Sequence, residues 1–112
     1  MRKDLLDVVV SYLGDRALVI VRGQIDRDSL STLRAVLDDL DLNADTVIDM
    51  ADVHFINSSG LTMLVAQAVR MRERDGELRI KNASPAVRDA VDMSDLGALL
   101  YGREAACESA AS

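Results

Sequence analysis

The side chains with the most chemistry open to them cluster at Asn57-Ser58-Ser59-Gly60-Leu61, where a β-branched stretch gives way to an apolar helical pattern. A serine in such a place can be a nucleophile or a helix cap. Nucleophilic attack needs an adjacent base, usually oriented by an acid. The chain has a single histidine, His54, shortly before Ser58, and no Gly-x-Ser-x-Gly elbow surrounds the serine. Hydrolase chemistry is therefore disfavoured, and Asn57 or Ser58 reads first as an N-cap, a side-chain oxygen that satisfies a free helix N–H. Gly14 and Gly23 form neither a Gly-x-Gly-x-x-Gly nor a Walker pattern, which argues against a nucleotide enzyme. Asp45, Asp49 and Asp52 lack the spacing of a cation-binding loop, and Cys107 with His54 is too small a set for zinc. No cofactor, metal or catalytic residue is expected.

The 112 residues suit one domain with one core. A formal charge of −6 opposes nucleic acid, whose affinity comes mainly from Lys and Arg displacing counterions, and equally opposes an anionic membrane surface. The same sign fits a protein partner with a basic patch, and it also aids solubility. Only Tyr12, Phe55 and Tyr101 are aromatic, too few for a base-stacking platform. Cys107 stands alone, so no internal disulfide can form, which suits a reducing cytosol. Met1 to Asp7 mixes acids with bases and lacks the apolar stretch of a signal peptide, and Leu61 to Val69 is too short to span a bilayer. A cytoplasmic location is expected.

The serine cluster has to be held by the elements around it. Val8 to Leu13 and Ala17 to Val21 are β-branched-rich runs joined by Gly14-Asp15-Arg16, which predicts a hairpin. Leu30, Leu33, Leu37 and Leu40 recur at helical spacing and predict a helix over 29–41, followed by a short buried strand from Thr46 to Met50. Leu61, Leu64, Val65, Ala68 and Val69 predict the apolar face of a helix running to about Arg74, entered from a loop that contains residues 55–61. Asp75-Gly76 supplies its stop, and Leu78 and Ile80 alternate with charged residues in a last strand. Ser84 and Pro85 suit the N-cap and first turn of a third helix, with Val87, Ala90 and Val91 facing inward. The order is β-β-α-β-α-β-α, an α/β fold with a mixed four-stranded sheet, its β-α-β connections long enough for right-handed crossovers. Residues 1–102 make the domain, and 103–112 read as a frayed or disordered tail.

In this order three stretches resemble the STAS domain family and, within it, the bacterial anti-sigma-factor antagonists. Gly23-Gln24-Ile25-Asp26 is similar to the family's Gly-Glu-Leu-Asp after the second strand. Val47 to Leu61 resembles its strand and Asp-Ser-Ser-Gly-Leu signature, and Ser84-Pro85-Ala86-Val87 with Asp92-Met93-Ser94-Asp95-Leu96 resembles its third-helix pattern. The resemblance implies a non-enzymatic partner switch. The unmodified antagonist binds an anti-sigma factor that is also a serine kinase and so releases the sigma factor. Phosphorylation of the serine matched by Ser58 ends that binding, and a separate serine phosphatase restores it. Asp26 and residues Asn57, Ser58, Ser59, Gly60 and Leu61 are the implied partner-binding positions. Where the family usually has Asp before the phosphoacceptor, this chain has neutral Asn57, and Thr62 stands where many members have Gly. The alternative is a STAS ligand or scaffold module of a lipid-transport or stress-sensing complex, without a kinase cycle.

Overall fold

A computed structural model describes residues 6–41, 43–94 and 100. The elements follow the expected order: β1 (Leu6–Leu13), β2 (Arg16–Ile25), α1 (Leu30–Asp39), β3 (Asp45–Ile56), α2 (Ser58–Arg72), β4 (Leu78–Lys81) and α3 (Pro85–Ser94). The proposed tail, 103–112, lies outside the described residues, as does the Asp95-Leu96 end of the third-helix motif.

The sheet order is β1-β2-β3-β4, with β1 antiparallel to β2 and the other pairs parallel. Leu13 pairs with Arg16, so the hairpin turn is the two residues Gly14-Asp15, one fewer than the composition suggests. Gly14 has φ +64°, which suits the first central position of a tight hairpin turn. The two parallel connections step across the sheet in the same direction. Right-handed crossovers of that kind place α1 and α2 on one face, running side by side. Val19, Val21, Ile48, Met50, Leu78 and Ile80 face them and are buried, while Leu18 and Val9 point to the open side.

β3 is much longer than the expected Thr46–Met50 run, and the reason lies in its register. Arg16 to Ile25 pairs with Asp45 to Ile56, and the register slips between Ile20 and Arg22 and again between Gly23 and Gln24. At each slip β3 carries one extra residue. Each extra residue reverses which face the next side chain meets. Buried positions on β3 accordingly step from Met50 to Val53 to Ile56, three apart, where plain alternation would expose Val53. The period-2 pattern of a strand is lost beyond Met50, and the sequence there reads as loop. The loop expected over residues 55–56 is instead the end of β3, and Asn57 alone connects it to α2. His54 is an exposed strand residue.

The buried face of α2 also differs from expectation. Leu61, Leu64 and Ala68 are buried, but the face continues through Gly60, Gln67 and Met71, with Val65 half-buried and Val69 exposed. Gln67 is responsible: its amide donates to the Leu37 carbonyl at 3.1 Å, satisfying an acceptor near the C-terminal end of α1. A polar residue thus occupies a core position that an apolar-only pattern assigns to its neighbours. At the other end, Asp75 and not Gly76 adopts positive φ (64°), and the Gly76 N–H closes the helix on the Met71 carbonyl at 2.8 Å. The third helix starts as expected, with the Val87 N–H donating to the Ser84 hydroxyl at 3.3 Å while that hydroxyl donates to the Val53 carbonyl.

These placements separate two neighbouring positions on α2. Leu64→Ala should lower stability by about 2–5 kcal/mol, because it removes a fully buried side chain. Val69→Ala should change it by less than about 1 kcal/mol, because much of that side chain stays in water. Urea denaturation midpoints check both, and an equal response of the two variants would place the helix face wrongly.

Candidate functional site

β2 and β3 end side by side, with Ile25 paired to Ile56. The next peptide continues the ladder: the Asn57 N–H donates to the Ile25 carbonyl at 2.9 Å. Asp26 and Asn57 are therefore neighbours, each the first residue beyond its strand, at the carboxyl end of the parallel strands where open α/β sheets present their sites.

Asn57 is the N-cap of α2. Its backbone is extended (φ −88°, ψ 172°), and its side-chain oxygen Oδ1 accepts from the Gly60 N–H at 2.8 Å. One of the free donors of the first turn is thereby satisfied. The N–H groups of Ser58 and Ser59 have no acceptor among the described residues, and both side chains are exposed. Gly60 is buried, since a Cβ there would overlap Ile25 Cγ2 and sit 3.2 Å from Asn57 Oδ1 and 3.3 Å from Ile56 Cγ1. Leu61 packs inward beside it. Of the five consecutive positions singled out by sequence, two are exposed, one caps the helix and two belong to the core.

Asp26 does comparable local work. Its Oδ1 accepts from the N–H of Asp28 at 3.0 Å and of Ser29 at 3.1 Å, and its carbonyl accepts from Ser29 and Leu30. The buried Ser29 hydroxyl donates to the Gln24 carbonyl at 2.7 Å and accepts from the Asp26 N–H at 3.0 Å. Asp26 thus organises the β2–α1 turn as an Asx turn, and this role is separate from any contact with a partner.

A groove of about 500 Å³ runs from Ser58 and Ser59 along the seam of α1 and α2, lined also by Leu30, Arg34, Thr62, Met63 and Arg70. Sequence reasoning did not single out Arg34 or Arg70. The available signal was that both lie on outward faces of helices that the crossover rule sets side by side. Asp49 and Asp52, weighed as metal ligands, have local partners: Asp49 accepts from the Ala51 N–H and from Asn82, and Asp52 lies 3.6 Å from Arg22 on the exposed surface. Among the described residues no group of three His, Cys, Asp or Glu side chains could hold a metal, and no helix is long and apolar enough to cross a membrane.

A family model described as "Mlab, STAS domain" matches residues 8–101, and the chain belongs to the STAS domain family. Among solved structures it is similar to the anti-sigma factor antagonist SpoIIAA in its unphosphorylated form, at 17% identity over 93% of this chain and 96% of that one, with a TM-score of 0.72. It is also similar to the Bacillus cell fate determinant SpoIIAA in the phosphorylated form, at 17% identity over 93% and 99%, with a TM-score of 0.67. An anti-sigma factor antagonist from Mycobacterium paratuberculosis is 25% identical over 94% and 92%, with a TM-score of 0.71. No curated protein sequence gives a significant match.

Asn57→Ala should cost about 0.5–2 kcal/mol through loss of the cap, whereas Asn57→Asp should hold or gain up to about 1 kcal/mol, because it keeps the acceptor and adds a charge that the helix N-terminus favours. Gly60→Ala should destabilise more than Asn57→Ala, since the added methyl must displace Ile25. Thermal denaturation of the three variants gives the order, and a tolerated Gly60→Ala would mean that helix and sheet approach less closely than described.

Proposed function

We propose that this STAS domain is an anti-sigma-factor antagonist of the cytoplasm. Unphosphorylated, it binds an anti-sigma factor that is also a serine kinase and releases the sigma factor, and phosphorylation of Ser58 switches it off. A separate serine phosphatase returns it to the binding form. The observation that carries this reading is the exposed Ser58 hydroxyl at the first position of a capped helix, beside Asp26 at the end of the neighbouring strand. The resemblance of both segments to the antagonists' motifs, and the likeness of the fold to antagonist structures, support it.

The protein acts by binding and not by catalysis. Ser58 starts a helix, while His54, the single histidine, is an exposed residue on the preceding strand. ATP and magnesium belong to the kinase. The partner surface consists of Asp26, Asn57, Ser58 and Ser59, with Gly60 and Leu61 shaping it from beneath. A phosphoserine carries about −1.5 to −2 charges at neutral pH, and an interface built around a neutral hydroxyl resists desolvating it.

A scaffold module of a lipid-transport or stress-sensing complex is the second reading. It is favoured by the neutral Asn57 beside the phosphoacceptor and by a matching family model described as Mlab and not as an antagonist. The two readings part on kinase labelling. With the cognate kinase and ATP, mass spectrometry should find phosphate on Ser58 in the parent and in Ser59→Ala and none in Ser58→Ala. Calorimetry should show Ser58→Ala binding like the unmodified parent and Ser58→Glu binding poorly. Asp26→Asn, which keeps the turn acceptor and removes the charge, is the variant that isolates binding from folding, and it should weaken the complex without lowering the melting temperature. Phosphate on Ser59 instead, or equal affinity of modified and unmodified protein, would overturn the switch, and absence of phosphate would favour the scaffold.

A further inference from the structure

α1 and α2 both run back from the carboxyl ends of parallel strands, so their N-termini lie at the same end of the sheet, with Leu30 and Ser58 bordering one groove. Arg34 lines that groove from α1, about one helical turn beyond Leu30. Helical side chains lean toward the N-terminus, which directs the Arg34 guanidinium back toward the level of Ser58 and Ser59. Arg70 lines the same groove but lies about 18 Å along α2 from Ser58 and leans toward Ala66, beside Asp38 of α1. The other charges near the helix starts are Asp26, Arg27 and Asp28 in the β2–α1 turn, and the Asp26 carboxylate is held to backbone N–H groups there. Arg34 forms no ion pair among the described residues, although the chain as a whole is acidic.

We propose that Arg34 is the reader of the modified serine: a phosphate on Ser58 is held between the free N–H groups at the start of α2 and the Arg34 guanidinium, across the α1–α2 groove. This rests on Ser58 being the phosphorylated residue. Arg and phosphate pair well because the planar guanidinium offers two parallel donors to two oxygens. The helix start supplies further donors and a favourable dipole from the opposite side. Before modification the described charges lining the groove are Arg34, Arg70 and Asp38, a small positive excess. Phosphate reverses it and withdraws Arg34 from any carboxylate that a partner brings.

The full chain carrying phosphoserine installed at position 58 during translation allows a test that needs no kinase. A dianionic phosphate beside a cation holds its second proton less tightly, so the ordinary pKa near 6 should be lowered. In a phosphorus NMR titration at low salt, Arg34→Gln should raise that pKa by about 0.5 relative to the parent, a modest value because the site is exposed. Arg34→Lys should restore part of the difference, and Arg27→Gln and Arg70→Gln should leave it unchanged. The same pKa in the parent and Arg34→Gln, or a rise produced by Arg27→Gln instead, would overturn the contact while leaving the kinase labelling of Ser58 to stand or fall by itself.

Discussion

Helix α2 comes so close to the ends of β2 and β3 that only a hydrogen fits where other residues carry a side chain. Gly60 meets Ile25 and Ile56 at that point, and its N–H is the one that Asn57 takes up. Close approach and capping are one arrangement, because a longer connection between β3 and α2 would loosen both. With Asn57 as the whole connection, the helix direction follows from the strand direction, and Leu61, Leu64 and Ala68 are carried down onto the sheet. Ser58 and Ser59, one and two residues past the cap, are left on the outer side by the same geometry.

The contact depends in turn on the two register slips between β2 and β3. Without them Val53 would point to the open face of the sheet, and Ile25 would pair two residues short of Ile56, so the two side chains that Gly60 meets would no longer lie side by side. The slips also let the two strands end level although β3 is the longer, so that Asp26 and Asn57 emerge as neighbours. Irregular pairing near a site is a recurring way of re-aiming side chains. Here it aims Val53 into the core and brings the strand ends level, and the position of the exposed serines follows from the second effect.

This explains which parts of the molecule were legible in its sequence. All seven elements, their order and the mixed sheet follow from periodicity and turn residues, because outside the slips each buried side chain repeats at the period of its element. The end of β3 was not legible: a slip removes the alternation by which a strand is recognised, and residues 53–56 then look like loop. Gln67 misled in a different way. Its partner is a carbonyl thirty positions away, and no local pattern announces that a buried amide is paired. At the site, the capping role of Asn57 was readable from residue type, whereas the burial of Gly60 and the Asx turn at Asp26 required the third dimension. Arg34 was hidden for the same reason, since its relation to Ser58 exists only across two helices.

Most polar atoms at this end of the sheet are already engaged. Asn57 Oδ1 holds a helix, Asp26 Oδ1 holds a turn and the Ser29 hydroxyl joins strand to turn. Such groups cannot change partner without loosening the fold, which makes them poor places for a reversible signal. The Ser58 hydroxyl has no comparable structural commitment, and it stands where a helix offers free donors and a positive dipole end. A large negative group added there meets existing favourable groups without requiring the core to rearrange. The physical consequence is a division of labour within a few residues: Asn57, Gly60 and Leu61 keep the shape constant, and the proposed phosphate on the serine beside them would alter the surface charge alone.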